Sequence, residues 1–512
     1  MTTEHHIVGP PGTGKTTYVA RQCRLAAEKH GSKGVLVTSL TKAAATEAGG
    51  RDTGLEPSQI GTLHAHCLRS IPGATIVKKE HYDEWNTAYP HLALADTKHS
   101  KQSTNLGPID TGYGDSLREA VNLRRHRMAP REQWTREEKD FSEKWTEFKM
   151  DNEVMGFTDL IERACSEVPY APGQPEVIFA DEAQDLSALE CHLLRRWAAD
   201  AETLVLVGDP DQALYGWRGS DPNILSNATV PARLQKSWRV PSAIHATAAD
   251  MIGRCSHRQD LSYEPMRQGG EVIRGGNYRD NRWLLEYIRE GRDIMLLVSS
   301  EYMLSPVIKM LREEGIAYHN PYNQRWNPLS RGVVAQKVLS LTKPFTTWTV
   351  ADLRNVASLL RSDPCFRRGA KRILADLDEE HDHELAREHK LLTATMTDAL
   401  MSNVSNLDWC VENMTAEAQR TARYPLSIYR RGGAEALAAK PRVIAGTIHS
   451  VKGGECDTVV VWPDITRAAY EQSLERSWHG RDALYRTYYV AMTRAKERLI
   501  IGEHCSQLRV EM

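Results

Sequence analysis

Apolar residues follow one another along this chain in two rhythms. Ile7-Val8, Val35-Leu36-Val37, Val177-Ile178-Phe179-Ala180 and Leu204-Val205-Leu206-Val207 are short continuous runs that end in glycine or in polar and acidic residues. Runs apolar on both faces predict strands buried in a parallel sheet. Between the first two runs, residues 15–30 predict a helix, and residues 41–48 a second one. Residues 60–67, Ile-Gly-Thr-Leu-His-Ala-His-Cys, read as a strand with hydroxyls and histidines at its end. Further on, residues 293–298, 304–314 and 316–318 repeat the order strand, helix, strand, which predicts a second core of the same kind.

The other rhythm is helical and highly charged. Residues 98–116 are polar and Gly-rich, and residues 116–150 then place Leu117, Val121, Phe141, Trp145 and Phe148 at helical spacing. Residues 73–155 thus read as a helical piece inserted into the first α/β core. Residues 345–439, charged throughout as in 376–389, predict a wholly helical insert in the second.

The chemistry sits where strands end. Gly9-Pro10-Pro11-Gly12-Thr13-Gly14-Lys15-Thr16 reads G-x-x-x-x-G-K-T between the first strand and the first helix. Its glycines let successive N–H groups face one point, to which the helix adds its positive end, and such a nest suits the β- and γ-phosphates of a nucleotide. Lys15 is expected to neutralise phosphate charge and the Thr16 hydroxyl to ligate Mg²⁺. An accidental glycine turn would not have both flanks agree.

Asp181-Glu182-Ala183-Gln184-Asp185 follows the third apolar run. A buried strand that delivers acids to its C-terminal edge puts them where open α/β sheets bind ligands. Asp181 is expected to hold Mg²⁺ through water, and Glu182 to orient and deprotonate the attacking water. For this segment alone a solvated acidic turn is a serious rival; paired with the phosphate loop, it loses. Gly208-Asp209 repeats the design, and residues 210–219 set Tyr215, Trp217 and Arg218 in a glycine-punctuated loop. Such a loop can stack bases and hold a backbone phosphate, the alternative being a core position for the two rings.

Composition narrows the partners. At 512 residues the chain exceeds one core, and a net charge of −2 with pI near 6.8 excludes coating nucleic acid by bulk attraction. Nine scattered cysteines without a C-x-x-C pair read as thiols in a reducing compartment. No apolar run approaches a membrane span and the first residues are polar, so a cytoplasmic protein is expected.

In content and order these motifs resemble those of superfamily 1 DNA helicases of the UvrD/Rep type. The phosphate loop with Thr17, residues 38–48, 60–69, 181–185 and 208–219 resemble the first-half motifs, and residues 156–160 the segment that precedes the acidic strand. Leu234-Gln235-Lys236-Ser237-Trp238-Arg239 resembles the motif whose aromatic lies on adenine and whose arginine reaches the γ-phosphate. Residues 443–455 resemble the motif that touches DNA and ribose, and residues 489–496 the closing motif, whose Arg494 is the second γ-phosphate contact. A planar guanidinium fork matches the charge that develops on a transferring phosphoryl group. The resemblance implies that Thr38, Thr62, His64, Thr447 and His449 join Tyr215, Trp217 and Arg218 on the DNA, that Glu455 meets the nucleotide, and that Gln212 reports the γ-phosphate. The chain departs from the pattern in having no glutamine among the eight residues before Gly9, Ser39-Leu40 in place of an aromatic, and Gly454 and Cys456 in place of leucine and an aromatic.

The implied fold is α/β: two RecA-like P-loop NTPase cores with parallel sheets, each carrying a helical insert. Residues 1–72 and 156–236 would form core 1A, 73–155 insert 1B, 237–344 and 440–512 core 2A, and 345–439 insert 2B. The implied activity is ATP- and Mg²⁺-dependent translocation 3′ to 5′ on single-stranded DNA, with unwinding at duplex junctions, by a monomer or weak dimer with room for a protein loading partner. The rival is a DNA-stimulated ATPase of the same fold that remodels protein–DNA complexes or works within a larger repair or recombination machine. A helicase–nuclease is not expected, because the 18 residues after Arg494 carry no carboxylate-rich pattern. Nor is a non-enzymatic binding module, because Lys15, Asp181, Glu182 and both arginines are all in place.

Overall fold

The computed structural model describes residues 2–39, 53–95, 112–225, 232–259, 261–322, 328–329, 333–377, 391–401, 406–474 and 478–512. The helix expected over 41–48, most of the polar stretch 98–116 and the charged run 378–389 lie outside these residues. The chain divides into two compact units, one of Met1–Asn277, Leu297–Met303 and Thr447–Met512, the other of Tyr278–Leu296 and Leu304–Gly446.

Unit one is built on a six-stranded sheet. Its strands are β1 (Thr3–Val8), β2 (Val35–Ser39), β3 (Ile60–Thr62), β4 (Val177–Asp181), β5 (Thr203–Gly208) and β6 (Ala232–Arg233), in the order β3-β2-β4-β5-β1-β6. The pairings are parallel, with Val8 opposite Gly208 and Ser39 opposite Asp181. Every residue of β2 and β4 is buried, which is why these strands read as unbroken apolar runs. Ile178 and Leu206 have no exposed surface, and burial of each such side chain stabilises by roughly 1.5–3 kcal/mol. Parallel pairing brings the C-terminal ends of β1, β4 and β5 to one edge, so sequence order places the phosphate loop and both acidic turns together.

Helix α1 (Lys15–His30) has the bounds that its spacing predicts. It starts behind Gly14 and ends with Lys29 and His30, whose charges favour the negative end of the helix. Residues 60–67 differ from expectation: the strand stops at Thr62, whose hydroxyl caps helix α2 (Leu63–Ser70) by accepting the Ala65 N–H at 3.2 Å. His64 and His66 therefore stand on a helix, because Thr62 is a better N-cap than a strand residue.

The charged region after residue 73 is helical as its spacing predicts. Helices α3 (Lys79–Ala88), α4 (Tyr113–His126) and α5 (Arg136–Asp151) share a core of Trp85, Leu117, Val121, Phe141, Trp145 and Phe148. Trp85 lies edge-on to Trp145 at 4.8 Å and to Phe148 at 5.4 Å.

Unit one also holds β7 (Lys236–Pro241) paired in parallel with β8 (Glu264–Arg267), and a parallel set in which β9 (Glu271–Arg274) and a strand at Cys456–Val461 flank a strand at Ala495–Ile501. In unit two a strand at Tyr318–His319 pairs in parallel with Val443 and Ile444, and helix Ser305–Glu313 precedes it, as the strand, helix, strand pattern predicts. The remainder of unit two is a helical array around Val338, Trp348, Leu353, Cys410 and Ala422, interrupted by two isolated bridges, Leu360 with Met414 and Phe366 with Leu392. The protein is thus α/β with parallel sheets, the class of two RecA-like cores.

Candidate active site

The phosphate loop leaves β1 and is tied back at once: the Gly9 N–H donates to the Gly208 carbonyl at 3.0 Å, and the Thr13 hydroxyl to that of Pro10 at 2.8 Å. Gly12 (φ 72°) and Gly14 (φ 82°) adopt the left-handed conformation that glycine tolerates best. No side chain caps α1 and its first turn holds no acid, so the loop and helix end keep the character of an anion nest. Lys15 folds over the loop and donates to the Gly9 carbonyl at 2.6 Å. Strand β7 is latched onto the same loop, with the Ser237 hydroxyl donating to the Pro11 carbonyl at 2.7 Å and the Trp238 N–H to that of Gly12 at 2.9 Å. That latch brings Trp238 and Arg239 to a cleft of about 300 Å³ also lined by Lys15, Glu182, Gln212 and Arg494.

Asp181 closes β4, and Glu182 follows in a left-handed conformation (φ 56°), strained for a residue with a Cβ. The Glu182 N–H donates to Asp181 Oδ1 at 2.9 Å, and Gln184 Nε2 donates to Glu182 Oε2 at 2.5 Å. Burial would raise the Glu182 pKa, but Lys452 and Lys15 outweigh it and hold the carboxyl below its ordinary range. Glu182 is therefore an ionised acceptor at neutral pH. Lys452 Nζ lies 3.8 Å from it, forms an ion pair with Asp185 and donates to the Gln212 carbonyl at 3.0 Å. Burial pushes Asp185 up to about 6 against the pull of Lys452.

The second half of the chain supplies the other wall. Arg494, 2% exposed, donates to Val490 and Gly454 carbonyls at 3.0 and 3.2 Å and to Gln212 Oε1 at 2.5 Å. Burial and the nearby Arg239 lower its pKa to about 10, so it stays charged at neutral pH. Arg239 donates through Nε to Glu455 at 2.6 Å, which leaves its two terminal nitrogens outside that bond. Trp238 is 64% exposed beside them.

Residues expected on DNA are placed unevenly. Trp217 is 48% exposed, and Tyr215 is half-buried, 6.3 Å from the Trp217 ring and beneath the Lys452 ammonium. Arg218 turns inward to Glu190. Thr38, Thr447 and His449 are buried, and Thr62 is engaged as the α2 cap. Burial lowers His64 to about 4 and His449 to about 3, so neither adds positive charge at neutral pH. His64 is half-buried against the Phe157 ring at 5.4 Å.

Lys452, Asp185 and Ser237 were not singled out by sequence reasoning. Each lies inside a quoted motif, yet its partner is remote in sequence: Lys452 meets Asp185 across 267 positions and Ser237 meets Pro11 across 226.

Comparison with known proteins gives two family matches. Residues 1–232 match the UvrD/REP helicase N-terminal domain, and residues 442–501 match the UvrD-like helicase C-terminal domain. The ATP-dependent DNA helicase PcrA of Staphylococcus epidermidis is 31% identical over 150 residues, covering 27% of this chain and 21% of PcrA. Its counterpart in Staphylococcus aureus is 32% identical over 135 residues, covering 24% of this chain and 18% of that protein. The chain thus spans about a fifth of the length of the curated relatives it matches.

Proposed function

Because the chain belongs to the UvrD/Rep-type superfamily 1 helicases, we propose that it is an ATP-dependent DNA helicase that moves 3′ to 5′ on single-stranded DNA and parts duplex at junctions. One observation carries this reading: Lys15, Glu182, Gln212, Arg239 and Arg494, contributed by five motifs, line a single cleft.

The loop N–H groups and Lys15 would bind the β- and γ-phosphates, with Trp238 against the base and Glu455 toward the ribose. The Thr16 hydroxyl and the Asp181 carboxylate are hard oxygen donors, a set that fits Mg²⁺. When bound, that ion offsets phosphate charge. The Glu182 carboxylate takes the proton of the attacking water; Gln184 fixes that carboxylate through Oε2 and Lys452 keeps it ionised. Arg239 and Arg494 stabilise charge on the transferring phosphoryl group.

Hydrolysis reaches the strand through Gln212. Its side chain joins Arg494 to Asp209, its carbonyl accepts from Lys452, and Tyr215 and Trp217 follow in the same loop. We assign residues 1–72 and 156–236 to core 1A, 73–155 to insert 1B, 237–344 and 440–512 to core 2A, and 345–439 to insert 2B.

Duplexes with a 3′ or a 5′ single-stranded tail test the proposal. Strand release from the 3′-tailed substrate in the presence of ATP and Mg²⁺ is the expected result; release from the 5′-tailed substrate alone would reverse the polarity, and release from neither would remove unwinding.

A further inference from the structure

The loop that carries the exposed Trp217 is tied to a carboxylate outside the residues with an expected role. Glu190, on helix α6 (Ala188–Ala198), is 1% exposed. Its Oε2 accepts both the Ser187 N–H and the Ser187 hydroxyl at 2.9 Å, and its Oε1 accepts Arg218 at 2.9 Å. Among the described residues Arg218 is the ion-pair partner of Glu190.

The rest of the loop is anchored around this pair. The Leu214 N–H donates to Asp185 at 3.3 Å, Ser220 bridges to Ser187, and Gly219, in the left-handed conformation, packs so closely that an added Cβ would lie 3.0 Å from His126 Cβ. Ser187 Oγ faces His126 Nδ1 at 2.9 Å, so the helix carrying His126 backs the same anchor. Arg218 is drawn inward while its neighbour Trp217 faces out.

We propose that Glu190 is a positioning residue for strand binding: through Arg218 it sets the loop so that Trp217 meets the bases, and Arg218 is a tether rather than a ligand of backbone phosphate. The proposal rests on the reading of Trp217 as a strand contact. Drawing Arg218 out to a phosphate would leave the Glu190 carboxylate buried without its cation, a cost that a solvated phosphate contact does not offset.

Binding of a labelled oligonucleotide, followed across a series of salt concentrations for Trp217→Ala, Arg218→Ala, Glu190→Gln and the Trp217/Arg218 double variant, tests this. A phosphate contact on a single strand contributes about 0.7 to the slope of log affinity against log salt, whereas a tether contributes nothing. Arg218→Ala is expected to bind severalfold more weakly at unchanged slope, and the double variant no more weakly than Trp217→Ala. Glu190→Gln should raise the DNA concentration that half-stimulates ATP hydrolysis while the maximal rate holds. A slope lowered by about 0.7 in Arg218→Ala overturns the tether and leaves the Trp217 reading standing. Unchanged affinity in Trp217→Ala overturns both. Should Glu190→Gln fail to fold, Arg218→Ala, a change on a half-buried loop side chain, decides alone.

Discussion

Arg494 donates from one terminal nitrogen to Gln212 Oε1 at 2.5 Å, and Gln212 Nε2 in turn donates to Asp209 at 2.6 Å. A cation at the cleft is thus wired to the first residues of the loop that carries Tyr215 and Trp217. Each nitrogen of the Arg494 guanidinium makes one hydrogen bond, Nε and the other terminal nitrogen to two backbone carbonyls, which fixes the fork while each terminal nitrogen keeps a second N–H. Lysine cannot reproduce that geometry. Arg494→Lys is expected to lower ATP turnover by about 10³-fold or more, the scale of an arginine finger, with a far smaller change in nucleotide affinity. Rapid-quench hydrolysis and a fluorescent-nucleotide titration separate the two effects; equal losses in both would make Arg494 a binding residue only.

Glu182→Gln keeps the shape of the side chain and removes the proton acceptor. Nucleotide binding should persist while turnover falls by about 10²–10⁴-fold, the usual worth of a general base. Lys15→Ala should abolish hydrolysis, because the phosphate charge loses its neutralising partner. A Glu182→Gln protein that hydrolyses ATP at the wild-type rate would remove Glu182 as the base, and an active Lys15→Ala protein would undo the phosphate-loop assignment.

Gly12 and Gly14 both have positive φ, but only one is crowded. A Cβ on Gly12 would lie 2.4 Å from Arg239 Cβ and 3.0 Å from the Arg239 nitrogen, whereas one on Gly14 meets nothing within 4 Å. Gly14→Ala should cost about 1 kcal/mol of backbone strain, and Gly12→Ala about 1–3 kcal/mol more from the forced displacement of β7. Thermal melts of the two variants check this ordering, and equal destabilisation would contradict the latch between the loop and β7.

The folded pKa of Asp185, about 6, stands above its ordinary 3.8. The native state therefore binds the proton more tightly, so the stability this group contributes is fully present below 3.8 and is lost as pH rises through about 6. Denaturant unfolding across that window should show wild type losing stability relative to Asp185→Asn as pH rises. A difference independent of pH would mean that Lys452 fully compensates the buried charge.

Trp217→Ala should weaken single-strand binding by roughly 1–3 kcal/mol if its exposed ring stacks on a base. Oligonucleotide titration gives the answer directly.

What was legible in the chain is what neighbours in sequence determine. The unbroken apolar run into Asp181-Glu182, and the glycines leading to Lys15 at a helix start, each encode a strand or helix and the turn at its end, and the structure places both as read. Burial of hydroxyls and histidines is a tertiary matter. Thr38 and Thr447 look like open strand ends in sequence, yet neighbouring elements cover them, and Thr62 started a helix where a longer strand was expected. The contacts that organise the cleft, Lys452 with Asp185, Ser237 with Pro11 and Arg218 with Glu190, join residues between 28 and 267 positions apart, and no local pattern announces such pairs.

Steady-state ATP hydrolysis with and without single-stranded DNA, with Glu182→Gln as the blank, addresses the central claim that one cleft is coupled to one strand-binding loop. Strong stimulation by the strand, absent from the blank and blunted in Trp217→Ala, is the predicted result. Hydrolysis indifferent to the strand would contradict the coupling through Gln212 and Lys452.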